Sequence, residues 1–141
     1  MFAEFEMIAH DMEQNGEALT AQSLGDLYYK LNDIYHGDTI IKDDLIRYEW
    51  SRIPHFYSPF YVYKYATGLC AAIAIATDIL DGKKGAKEKY LEFLKSGSSK
   101  YPLDTLKACD VDMTTKEPIE KSLKFFEKRL AEAKEIMKKV K

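Results

Sequence analysis

Residues 58–80 read Ser-Pro-Phe-Tyr-Val-Tyr-Lys-Tyr-Ala-Thr-Gly-Leu-Cys-Ala-Ala-Ile-Ala-Ile-Ala-Thr-Asp-Ile-Leu, and their reading decides the fold class. Serine is a favoured N-cap, and proline suits the first helical position, where no N–H is needed. Ser58-Pro59 therefore predicts a helix that runs to Leu80 and ends at Asp81-Gly82. Its only charges are Lys64 and Asp78. The length approaches the roughly 20 residues of a membrane span. Alanine, threonine and tyrosine are too frequent for lipid, however, and no second such run exists. A helix apolar on nearly all sides instead belongs at the centre of a large soluble domain. The flanking helices enclose it only with difficulty, so one side is expected to lack a neighbour. Tyr61-Val-Tyr-Lys-Tyr alternates as a strand does, but the cap before it and the alanines after it favour helix.

The rest of the chain is also helical in pattern. Towards the N-terminus, Phe2, Phe5, Ile8, Ala9 and Met12 repeat at three and four, and Asn15-Gly16 stops them. Thr20 offers the next N-cap, with Leu19 and Leu24 at the staple positions around it. Leu24, Leu27, Tyr28, Leu31, Ile34 and Tyr35 form a second stripe, closed by Gly37. A shorter helix covers residues 43–50, and Pro54 prevents its continuation. Towards the C-terminus, residues 86–95 form a helix with Tyr90, Leu91 and Leu94 inward. Ser96-Gly97-Ser98-Ser99 is a turn, and Pro102 opens a short helix with Leu103 and Leu106. Thr114 or Thr115 caps the last helix. Its Ile119, Leu123, Phe126, Leu130, Ala133 and Met137 alternate spacings of four and three, a seam for a neighbouring helix.

With 141 residues the chain reads as a single domain, residues 1–141. A net charge of −2 gives nucleic-acid binding no electrostatic support. The charge is uneven: residues 1–44 carry ten acids against two lysines, and residues 116–141 carry nine bases against five acids. These read as solvated faces. No basic n-region of a signal peptide is visible. Cys70 and Cys109 are the only cysteines, which argues for a reducing, cytoplasmic setting, and Cys70 among alanines and isoleucines reads as a buried thiol.

The chemistry gathers in residues 52–68, where Tyr57, Tyr61, Tyr63 and Tyr65 crowd behind His55. A buried phenol needs a hydrogen-bond partner, so this composition suggests a polar surface facing something. On the expected helix Tyr57, Tyr61 and Tyr65 share a face, continued by the small Gly68 and Ala72, and Tyr63 points elsewhere. Phenols, an imidazole and a helix N-terminus together stabilise negative charge developing on oxygen. An aromatic core patch with its hydroxyls bonded to backbone is the alternative. Glu6 and His10 stand at i, i+4 as metal ligands do, but a single such pair reads as a solvated polar face. Asp110 and Asp112 lack the glycine and terminal glutamate of a calcium loop. The chain has no His-Glu-x-x-His and no serine or cysteine with a histidine placed for nucleophilic catalysis.

The run Ile53-Pro-His-Phe-Tyr through Phe60-Tyr-Val-Tyr-Lys-Tyr-Ala-Thr-Gly resembles the C-terminal part of the oligoendopeptidase F family, zinc metallopeptidases of the thimet-oligopeptidase kind. The opening Met-Phe-Ala-Glu-Phe-Glu and the later Phe93-Leu-Lys-Ser-Gly-Ser-Ser-Lys-Tyr-Pro resemble further stretches of it, in order. The resemblance implies a helical bowl with a deep channel. It also implies a zinc held by His-Glu-x-x-His and a downstream glutamate, upstream of where this chain begins. His55 matches the family's substrate-binding histidine, and Tyr61 or Tyr63 its main catalytic tyrosine. Tyr57 is an extra substrate contact.

The expectation is therefore an all-α bundle of about six to seven helices, equivalent to the C-terminal part of a larger metallopeptidase catalytic domain. Its catalytic residues are His55, Tyr61 and Tyr63; its substrate-binding residues are these and Tyr57. Zinc serves the intact enzyme, and none is expected on this chain, which is expected to be inactive alone. Expected partners are short peptides, a missing N-terminal catalytic portion and a second copy; nucleic acid and membrane are not expected. The alternative is a non-catalytic helical interaction or dimerisation module, built on the seam of residues 119–137 and the helix of residues 60–80.

Overall fold

The computed structural model describes residues 1–140. Among them every regular element is helical, with α-helices joined by 3-10 segments and no strand. The chain divides into two compact units, Met1–Lys64 and Tyr65–Lys141.

In the first unit, α1 (Phe2–Gln14) ends at Asn15, and Gly16 follows with φ +80°. Thr20 caps α2 (Ala21–His36): its hydroxyl accepts from the Ser23 N–H at 3.0 Å, and Ser23 Oγ accepts from the Thr20 N–H at 2.9 Å. This is a reciprocal capping box with serine in place of the usual glutamate. Gly37, at φ +53°, stops α2 where the sequence predicts. The short helix expected at residues 43–50 is instead a 3-10 helix, Asp44–Arg52, capped by Asp43. It lies close against α2: a Cβ added at Gly25 would stand 3.4 Å from the Arg47 carbonyl oxygen. Phe5, Tyr28 and Leu31 form the core, with Trp50 and Phe56 packed on it. Phe5 meets Tyr28 edge-on at 5.2 Å, a favoured aromatic geometry. Tyr28 is fully buried, and its hydroxyl donates to Glu49 Oε2 at 2.8 Å. Burial, then the Glu49 carboxylate, pushes this phenol far above its ordinary range. Ile34 and Tyr35, the end of the predicted stripe, are exposed.

Helix α3 (Tyr63–Leu80), all but its first two residues in the second unit, starts four residues later than Pro59. Phe60 has φ +53°, a left-handed conformation that a right-handed helix cannot pass through. Ser58 closes the 3-10 turn Pro54–Tyr57, donating its N–H to the His55 carbonyl at 3.2 Å, and caps nothing downstream. Ala71, Ala74 and Ile75 are the buried residues of α3, whereas Leu69 and Leu80 are exposed, so part of its surface does lack a neighbour. The core is completed by Cys109 and Val111. Cys109 is buried, whereas Cys70, expected to be a buried thiol, is half-buried. The segment before Cys109 folds back as α4 (Ala86–Ser96) and α5 (Pro102–Lys107), carrying Tyr90, Phe93 and Leu106 onto this core.

The last helix, α6 (Glu117–Lys139), is not capped by threonine. Asp112 takes up Thr114 instead, its Oδ1 accepting from the Thr114 N–H at 2.9 Å and hydroxyl at 2.6 Å. α6 packs through Pro118 and Ser122, whose hydroxyl contacts the Cys70 carbonyl at 3.2 Å. The predicted seam faces outward: Ile119, Leu123, Phe126, Leu130 and Met137 are all exposed. Lys121 and Lys83 converge on Asp78, and Lys83 and Lys89 on Asp110. No helix among the described residues is long and apolar enough to cross a membrane.

Candidate substrate-binding site

His55 lies in the 3-10 turn Pro54–Tyr57, which Pro54 begins with its restricted φ. The chain then bends through Pro59 and the left-handed Phe60 before α3 starts. That bend brings Tyr61 back against His55: the two rings stack with centroids 5.5 Å apart and planes at 25°. The Lys64 ammonium lies 5.1 Å from the centre of the Tyr61 ring, within cation–π range. Tyr57 is turned the other way. Its hydroxyl donates to the Ser51 carbonyl at 2.9 Å, while 69% of the residue is exposed. Tyr63 is exposed in the first turn of α3.

The structure therefore brings His55 and Tyr61 together, and not by helical spacing. Tyr57 and Tyr61 precede α3, so Tyr57, Tyr61 and Tyr65 do not share a helix face. Gly68 admits no close backbone, since a Cβ there would meet nothing within 4 Å. With Ala72, Ile75 and Phe93 it instead lines an apolar hollow of about 570 Å³ in the second unit.

The least legible site residue is Glu6. It is 4% exposed, not part of a solvated face. Its Oε1 accepts from the Tyr61 N–H at 3.4 Å. One turn along α1, His10 holds the Glu6 carbonyl through Nδ1 at 2.7 Å and packs on the Phe60 ring at 4.3 Å. A signal for Glu6 existed: it falls four residues after Phe2 and three before Ala9, inside the apolar stripe of α1. Beside it lies a hollow of about 330 Å³ walled by Phe5, Trp50, Phe56 and Tyr57, with the buried Trp50 Nε1 unpartnered.

Among the described residues no three of His, Cys, Asp and Glu converge as a metal site would require. Glu6 and His10 are turned to the Tyr61 N–H and the Glu6 carbonyl, and His55 to the Tyr61 ring. These residues do not fit a zinc site by themselves.

The family model for peptidase family M3 matches residues 1–125. The oligopeptidase PepF of Bacillus subtilis is 52% identical over 141 residues, covering 100% of this chain and 21% of that protein. The chromosomal oligoendopeptidase F of Lactococcus lactis subsp. cremoris is 43% identical over 138 residues, covering 98% of this chain and 23% of its own length. The crystal structure of oligoendopeptidase-F from Enterococcus faecium superposes with a TM-score of 0.91 at 45% identity, covering 98% of this chain and 26% of that one. The chain belongs to peptidase family M3, among metallopeptidases of the oligoendopeptidase F kind. It spans about a fifth of the length of the curated relatives it matches.

Proposed function

We propose that this chain supplies the substrate-binding and oxyanion-stabilising side of a zinc-dependent oligoendopeptidase acting on short peptides. The stacking of His55 on Tyr61, in a chain of this family, is the observation that carries the reading. As a peptide carbonyl becomes tetrahedral its oxygen gains charge, and donors already aimed at that position lower the barrier. The His55 imidazole and the Tyr61 and Tyr63 phenols are such donors, and Tyr57 borders the peptide. Zinc in the intact enzyme would be held by residues that this chain does not contain. Its two thiols are unpaired, which supports a cytoplasmic setting.

Mixing the chain with the remaining portion of a full-length relative tests the reading. Hydrolysis of a quenched-fluorescent short peptide is expected from the mixture and not from the chain alone with zinc. His55→Ala or Tyr61→Phe should lower kcat by about 10²–10³-fold with little change in KM, as loss of an oxyanion donor does. A full-rate His55→Ala mixture sinks the assignment, and chelator-sensitive hydrolysis by the chain alone refutes its predicted inactivity. The outward apolar stripe of α6 favours a second reading, a helical module that pairs with a second copy.

A further inference from the structure

The pair Glu6 and His10, unremarkable in sequence, has no role in the reading above, yet it touches the segment that carries Tyr61. We infer that Glu6, with His10 one turn later, is a positioning clamp that holds the Phe60–Tyr61 bend so that the Tyr61 ring meets His55. The inference rests on the proposed role of Tyr61 in substrate chemistry.

Three observations on neighbouring atoms support it. Phe60 is bulky and held at φ +53°, a left-handed conformation that is strained for a non-glycine residue and persists only where its surroundings enforce it. The enforcing groups come from α1: the Glu6 carboxylate takes the Tyr61 N–H, and the His10 ring covers the Phe60 ring. Glu6 is also 4% exposed, although a buried carboxylate is costly unless something there uses its oxygens. Without the clamp Phe60 can relax to negative φ, and the right-handed path predicted from Ser58-Pro59 becomes available. Tyr61 then leaves His55.

An acceptor oxygen, rather than a negative charge, is what the Tyr61 N–H requires. Glu6→Gln keeps that oxygen and Glu6→Ala removes it. The test uses the isotopically labelled chain in NMR, reading amide exchange at Tyr61 and the ring-current shift of the His55 ring protons. Glu6→Ala is expected to speed Tyr61 exchange at least tenfold and to return the His55 protons towards unstacked values, with Leu31 in the core still protected. Glu6→Gln is expected to leave both as in the parent. If alanine leaves too large a hole, Glu6→Leu fills it without an acceptor, and the same comparison applies. An unchanged Tyr61 amide and His55 signal in the variants lacking an acceptor overturns the clamp, as does a glutamine variant as perturbed as alanine. These readouts need no catalysis, so they fail or succeed independently of the peptidase reading. In the mixture described above, Glu6→Ala should then lower kcat and leave KM unchanged, with Glu6→Gln restoring it.

Discussion

Asp78 is flanked by Lys121 and Lys83, the latter at 3.0 Å. Burial pushes its carboxyl up, but hydrogen bonds and charges from the two lysines outweigh that and hold it below the ordinary carboxylate value. The folded chain thus takes up this proton less readily than the unfolded one. The resulting stability is present above about pH 4 and is lost as pH falls through the lower, folded value. Asp78→Asn should cost about 1.5–3 kcal/mol at pH 7, the scale of a hydrogen bond to a charged group. The deficit should shrink below about pH 4, where the parent loses its own advantage. Urea melts at pH 7 and pH 3 check this, and a deficit equal at both values contradicts it. At this scale His55 and Tyr61 stand out in the sequence because a histidine among tyrosines is unusual for a plain core, and the structure stacks them. Glu6 does not stand out, since the need for an acid inside an apolar stripe comes from a loop about 55 positions away in the chain, visible only once folded.

Among the elements, capping chemistry was legible where it is local and lost where tertiary contacts decide. Thr20 is the clear case, its box closed by the next turn of its own helix. Thr20→Ala should remove about 1 kcal/mol from the first unit, seen as a lower midpoint in a melt followed by the Trp50 fluorescence. No change in that midpoint denies the cap its energetic role. Ser58-Pro59 carries an equally good local signal and starts no helix, because the bend at Phe60 is held from α1. Thr114 and Thr115 fail for a different reason: Asp112 competes for Thr114, and Pro118 sits in the first turn of the helix that follows. The spacing of α6 predicts a seam against a neighbouring helix, yet the seam is exposed, because periodicity does not say which partner covers it. Within its own unit the helix is held by the small, buried Ser122 and not by the seam.

For the whole molecule the arrangement of that seam predicts a second copy placed antiparallel. The apolar positions are symmetric about Lys128, so Ile119 would face Met137, Leu123 Ala133, and Phe126 Leu130 of the other copy. Charge agrees with this direction. The beginning of α6 carries Glu117 and Glu120, its end carries Lys138 and Lys139, and antiparallel helices also oppose their dipoles favourably. A parallel pair would instead set lysines beside lysines at one end. Covering the stripe on both copies removes on the order of 1,000 Å² from water, about the least that a specific interface needs. Light scattering should therefore give twice the 16.3 kDa of the chain at high concentration. Leu123→Glu should return the chain to monomer without unfolding it, because the side chain is 62% exposed. Direction is tested by mixing Ile119→Cys and Met137→Cys variants under oxidation: the antiparallel pair predicts a 119–137 link across copies, and 119–119 links point to the parallel one. A monomer at every concentration removes the dimer altogether. The seam then remains for the remaining portion of a peptidase, and the same Leu123→Glu variant should lose activity in the reconstituted mixture.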